Sequence, residues 1–224
     1  MIKKKNYFSD KWYSQLLNQK NQIEKFGIDS NFKWSHDPRQ FFISQARYKF
    51  VSKVLAGEKK VLEIGAADGF NSRIVSNEVK NLELSDNEEH FRDSYLNYIN
   101  KKWKKKYFIH DFIKRKYSKK YSAIYMLDVL EHIPNKSENK FLSNICNSLE
   151  KTGTLIVGIP SLEFQKFSNK DNGHINCKTG ENLKKFLKKY FHNVYLFSMN
   201  DEVVSTSFLK MACYFLAICS HKKK

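Results

Sequence analysis

The sequence predicts an α/β fold: a doubly wound, seven-stranded, mostly parallel sheet with helices on both faces, behind a helical N-terminal segment. Three observations carry that expectation. Short apolar runs alternate with stretches of helical spacing from residue 60 to about 219. The first run, VLEIG, leads straight into a glycine-framed turn, GAADG. Four successive runs close on an acidic residue. Strands alternating with helices imply parallel pairing with helical crossovers.

Residues 1–57 read as helical. LLNQKNQIEKF suits a short amphipathic helix. DPRQFFISQARYKFVSKVLAG offers Asp37 as N-cap, Pro38 in the first turn and Gly57 as a stop. The expected strands are 60–65, 80–86, 105–111, 121–128, 154–160, 193–198 and about 209–219. Helices are expected at 71–79, over NEEHFRDSYLNYIN, at 137–150 and at 179–191. The last two strands lack room for a crossover helix, so they should pair antiparallel. The expected division is a helical cover, 1–57, and a domain, 58–224.

With 224 residues, 41% hydrophobic and 15% aromatic, the chain can bury one full core. Cys146, Cys177, Cys213 and Cys219 show no paired spacing and read as reduced thiols of a cytoplasmic protein. The basic N-terminus has no apolar run behind it, and MACYFLAIC is too short to span a bilayer. The net charge is +17, but five of the 40 basic residues are Arg, which leaves 35 Lys. Forked phosphate recognition favours Arg, so no specific nucleic acid is expected. KKWKKK and KRKYSKK, flanking the third strand, read as a solvated face, with an anionic surface or carrier-linked sugar as the alternative.

In open α/β sheets, ligands bind at the carboxyl ends of the strands, where the strand order reverses. The turn after the first strand reads G-A-A-D-G-F. It lacks the G-x-G-x-x-G of dinucleotide sites and the G-K-[ST] of phosphate loops. A nucleoside-type ligand without phosphates remains. Glu63 lies two residues before Gly65, and Asp86 ends the second strand, 21 residues beyond Gly65. A carboxylate there can accept both hydroxyls of a ribose. Asp111 and Asp128 end the third and fourth strands. The alternative reading of each acid is a helix cap.

The run VLEIGAADGF, LELSD, IHD and YMLDVLEHI resembles class I S-adenosylmethionine-dependent methyltransferases, over about residues 45–160. The resemblance implies a Rossmann-like fold and S-adenosylmethionine as cofactor. Its methionine part would lie against Gly65, Ala67, Asp68, Gly69 and Phe70, its ribose on Asp86 and its adenine on Asp111. Glu63, Leu127 and Asp128 complete the expected cofactor set. Ala67 stands where many members have glycine, and Asp86 is preferred to the mid-strand Glu83.

The D-V-L-E-H-I segment is similar to that of ubiquinone-pathway O-methyltransferases. Methylating a hydroxyl needs in-line attack and a base near the oxygen. His132 is the first candidate. Glu131 would orient it or assist a divalent metal, but no clustered His/Asp set is visible along the chain, and no metal is expected. GHINCKTGENL, FSMNDEVV and HDPRQFFISQARYKF resemble methyltransferases encoded with bacterial surface-sugar genes. That likeness implies a small polar acceptor such as a sugar intermediate, methylated on an oxygen or, as the lesser alternative, a nitrogen. It makes His174 a base or acceptor ligand, and Arg47, Tyr48, Asn176 and Asn200 substrate contacts, with Trp34 and His36 nearby. L-D-V-L replaces the N-P-P-Y type tetrapeptide that grips a flipped base. The rival expectations are an RNA methyltransferase and a non-catalytic cofactor-binding module.

Overall fold

The computed structural model describes residues 10–18, 24–99, 101–167, 173–207 and 209–223. Eight strands form one sheet: β1 (Val61–Ile64), β2 (Leu82–Asp86), β3 (Lys106–Ile109), β4 (Tyr121–Leu127), β5 (Leu149–Pro160), β6 (Phe191–Asn200), β7 (Val203–Ser205) and β8 (Tyr214–Lys222). Their order is β3-β2-β1-β4-β5-β8-β6-β7. The first five pair parallel, while β8 runs antiparallel between β5 and β6. The expected antiparallel end is therefore present. Among the described residues the strand count is eight, not seven, because the short β7 folds back onto β6 after the turn at Asp201. Three residues are too few to show a strand period in sequence.

The helices are α1 (Asp10–Asn18), α2 (Ile28–His36), α3 (Pro38–Val54), α4 (Ser72–Ser76), α5 (Glu89–Tyr98), α6 (Asn135–Ser148), α7 (Leu162–Gln165) and α8 (Gly180–Leu187). Asp37 caps α3 through Arg39 N, with Pro38 at its start. LLNQKNQIEKF is only partly the expected helix. Its first three residues finish α1, residues 19–23 lie outside the described residues, and residues 24–27 are irregular. α2 lies inside the segment expected to be helical but was not singled out as a helix: IDSNFKWSH is rich in Ser, Asn, Asp and aromatics, all middling helix formers. The helix expected over 71–79 is shorter, spanning Ser72–Ser76.

Alternating strand residues supply two cores. Leu62, Ile64, Ile124, Met126, Leu155 and Val157 face α6 and α8 through Leu142, Ile145, Leu183 and Leu187. Val61, Leu82, Leu84, Ala123, Tyr125 and Ile156 face the other way, against Tyr48 and Val51 of α3 and Leu55 at its C-terminal cap. Each large apolar side chain so buried stabilises the fold by about 1.5–3 kcal/mol. The order reverses between β1 and β4, so the crevice of a doubly wound sheet opens between the ends of those two strands.

Candidate functional site

The turn after β1 is shaped by backbone that only small residues tolerate. Gly65 and Gly69 have φ of 76° and 66°, and Ala67 has φ of 46°. A Cβ on Gly65 would stand 2.3 Å from Val129 Cγ2, so the turn packs directly on the segment leaving β4. Ala67 carries its methyl in the left-handed region, a conformation that costs roughly 1–3 kcal/mol. Two bonds hold it there: its N–H donates to Asp86 Oδ2 at 3.0 Å, and its carbonyl accepts from Tyr107 at 2.7 Å.

Asp86 is thus the keystone of the turn. Its Oδ1 accepts from the amides of Asn87 and Glu88 at 2.8 and 3.1 Å. Burial raises its pKa above the ordinary value despite these N–H donors. One lone-pair direction on Oδ2 is left for a ligand hydroxyl. Beside it, a cleft of about 440 Å³ opens between Asn87–Glu88 and Ile109–Asp111, lined also by Lys114 and Arg115. Asp111 Oδ1 accepts from the amides of Ile113 and Lys114. Burial alone would raise the Asp111 pKa, but those amides and the Lys114 ammonium hold it below the usual range.

On the other side of the turn, Asp128 leaves β4 with φ of 56°. Both its oxygens accept from Arg47 Nη1, at 2.9 and 2.8 Å, and the guanidinium stacks 3.6 Å above the Tyr214 ring. Beyond it come Glu131 and His132 in a 3₁₀ turn, Leu130–His132. The 173–178 loop docks on that turn, where Ile175 N and Asn176 N both donate to the Glu131 carbonyl. Docking brings His174 against His132, ring centroids 5.0 Å apart. His132 Nδ1–H donates to Gly173 O at 3.1 Å, and His174 Nδ1 bonds Gln165 Oε1 at 2.9 Å. Burial, then the neighbouring His132, lowers the His174 pKa. The Glu131 side chain is fully buried, and neither carboxyl oxygen has a hydrogen-bond partner among the described residues. Burial, then the Asp128 charge, pushes its pKa well above the carboxylate range.

The chain thus has a glycine turn at the switch point, an acid-anchored cleft on one flank and a two-histidine mouth on the other. A family model described as a methyltransferase domain matches residues 34–196, well over half of the chain. The chain belongs to this methyltransferase-domain family. A search of curated proteins finds no match. Among solved structures, the N-methyltransferase NodS from Bradyrhizobium japonicum, in complex with S-adenosylhomocysteine, superposes with a TM-score of 0.65 at 15% identity. The match covers 92% of this chain and 97% of that one. The small RNA methyltransferase HEN1 gives 0.67 at 14% identity, over 81% of this chain and 25% of that one. A DhpI complex with S-adenosylhomocysteine gives 0.60 at 12% identity, over 87% and 92%. At such identities these likenesses establish a shared fold.

Within the methyltransferase domain, Gly65, Ala67, Gly69, Asp86, Asp111, Leu127 and Asp128 all lie at the carboxyl ends of the sheet. Asn200, at the end of β6, shares that edge and accepts from Cys213 N. Several other candidates have different employment. Glu63 is buried beneath the turn, accepting from Tyr48 and Tyr125 at 2.7 Å each, so neither it nor Tyr48 faces a ligand. Asp68 turns to the N-terminal segment: Ser30 N and Ser30 Oγ donate to it at 2.7 and 3.0 Å. Asn176 is a buried clamp, donating to Ile133 O and Glu138 and accepting from Lys178. Phe70 joins an aromatic group with Phe26 and Phe41. Trp34 packs on that group, while His36 bonds and stacks on Phe32 in its own helix.

Sequence reading passed over Glu88 and His110, which line the cleft, and Tyr214, which seats Arg47. An acid two residues past Asp86 and a histidine just before Asp111 were the available signals. The expectation of no metal cluster also meets a different geometry. Glu131, His132 and His174 each offer a ligand atom within 4.8 Å of the others, in a set that only the docked loop assembles.

Proposed function

We propose that this methyltransferase transfers the methyl group of S-adenosylmethionine to an oxygen of a small polar acceptor, such as a sugar or surface-polysaccharide intermediate. The carrying observation is the two-sided crevice: Asp86 and its cleft on one side of the 65–69 turn, the Asp128–His132–His174 mouth on the other. In this reading the ribose hydroxyls meet the free lone pair of Asp86 and the nearby Glu88, and the adenine enters the cleft toward Asp111. The sulfonium then sits over the turn near Asp128. Arg47 holds the Asp128 side chain in place through both its oxygens, so a carboxylate faces the positive sulfur. The two imidazoles attend the acceptor oxygen, which must approach in line with the methyl–sulfur bond. NodS and DhpI, both solved with S-adenosylhomocysteine, support the cofactor assignment. The N-terminal helices serve as a cover over the crevice, with Ser30 fastening α2 to the turn. The reaction is that of a cytoplasmic enzyme.

The test is direct. Purified chain incubated with methyl-labelled cofactor and a cell extract should place the label in a small polar metabolite, identified by mass. A second reading, methylation of RNA, is favoured by the ten cations between residues 101 and 120 and by the likeness to HEN1. Label recovered in RNA would select it. No label in any fraction, with cofactor bound, would leave a binding module.

A further inference from the structure

We propose that Glu131, His132 and His174 form a binding site for one divalent cation whose open positions take the acceptor hydroxyl. The inference rests on methyl transfer at this mouth and specifies what the two imidazoles do there.

Four features of the site converge. The three side chains present ligand atoms within 4.8 Å of one another. An ion with bonds of about 2.1 Å spans cis ligands roughly 3 Å apart, so closure by an ångström or two places all three on one ion. The donor set, two imidazole nitrogens and a carboxylate oxygen, suits Mn²⁺, Fe²⁺ or Zn²⁺. Both histidines also have their other ring nitrogen anchored. Nδ1 of His132 donates to the Gly173 carbonyl and Nδ1 of His174 meets Gln165 Oε1, which leaves Nε2 of each to ligate. That second contact is the usual support of a metal-bound histidine, fixing its tautomer and aim.

The fourth feature is Glu131. Its side chain is fully buried, and both oxygens lack a hydrogen-bond partner among the described residues. Arg47 gives Nη1 to both oxygens of Asp128, and its buried Nε makes no hydrogen bond to Glu131. A buried polar group without a partner needs an explanation, and a cation held between it and the two imidazoles supplies one. His132 is exposed and His174 half-exposed, so the ion's remaining positions face solvent and acceptor.

The chemistry then closes without a free base. A divalent cation lowers the pKa of a hydroxyl bound to it, the effect that activates metal-bound water. The proton passes to water. The oxygen lone pair forms the O–CH₃ bond as the CH₃–S bond breaks, and the sulfonium leaves as a neutral thioether. The products are a methyl ether, S-adenosylhomocysteine and one proton.

The test uses the full chain, stripped with chelator and titrated with Mn²⁺ while free Mn²⁺ is followed by electron paramagnetic resonance. One ion per chain should bind, displaceable by Zn²⁺. Glu131→Gln and His174→Ala should each weaken Mn²⁺ binding by about 10-fold or more. Calorimetry with S-adenosylhomocysteine should give both variants wild-type affinity within about twofold, which reports an intact fold. Absence of saturable one-to-one Mn²⁺ binding, or variants that bind Mn²⁺ like the wild type, would overturn the metal site and leave the methyltransferase reading standing. Mn²⁺ binding in a chain that ignores S-adenosylhomocysteine would do the reverse.

Discussion

At the scale of single residues, Asp86 and Glu63 show how similar carboxylates acquire different work. Asp86 is held by three amides with one acceptor direction open. Asp86→Asn places an NH₂ against one or more of those N–H groups and removes the charge. Affinity for S-adenosylhomocysteine should fall by about 1.5–3 kcal/mol, the range for hydrogen bonds to a charged group. Calorimetry checks this, and unchanged affinity would reject the ribose assignment. Glu63 has no such opening. Burial, opposed by hydrogen bonds from Tyr125 and Tyr48, raises its pKa from 4.5 to about 7. The folded state therefore holds a proton that the unfolded chain has released. That contribution to stability is complete below about pH 4.5 and is lost as pH rises through about 7. Urea unfolding of the wild type and Glu63→Gln across that window should show the wild type losing on the order of 2–3 kcal/mol relative to the variant. A pH-independent difference would mean that Glu63 titrates alike in both states.

At the scale of elements, α2 depends on a carboxylate from outside its own sequence. Asp68 accepts from the amide of Ser30 in its first turn, doing in trans what an N-cap does in cis. Gly27 lies so close that a Cβ there would stand 2.3 Å from Asp68 Cβ. Gly27→Ala should push the carboxylate off Ser30, cost about 1–2 kcal/mol and raise amide exchange in α2. An unchanged urea midpoint and unchanged exchange in α2 would show that the helix docks by other means. Such long-range capping explains what the sequence hid. The turn and Asp86 were legible because backbone geometry ties glycines and a strand-ending acid to fixed spacings. The fate of Asp68, Tyr48 and Asn176 was not, because it depends on which helix or loop comes to rest against them. His132 and His174 stand 42 positions apart, and only the docking of the 173–178 loop makes them neighbours.

At the scale of the whole molecule, alternation of strand and helix made the parallel sheet and its antiparallel end readable, while β7 was too short to register. The +17 charge was harder to interpret. Two of the ten cations in 101–120, Lys114 and Arg115, line the proposed adenosine cleft, and Lys119 pairs with the buried Glu83. Part of the basic face therefore has local work. If the rest is solvated surface, RNA retention should vanish near 0.15 M salt, since phosphate contacts weaken steeply with ionic strength. RNA retained at that salt, with an affinity that falls steeply as salt is raised further, would favour an RNA acceptor.

The central claim is that the crevice between β1 and β4 holds the cofactor. A crystal structure of the chain with S-adenosylhomocysteine tests it most directly. The expected density runs over residues 65–69, with the ribose at Asp86 and the adenine between Glu88 and Asp111. An empty crevice at saturating ligand, or the nucleoside bound elsewhere, would contradict the account.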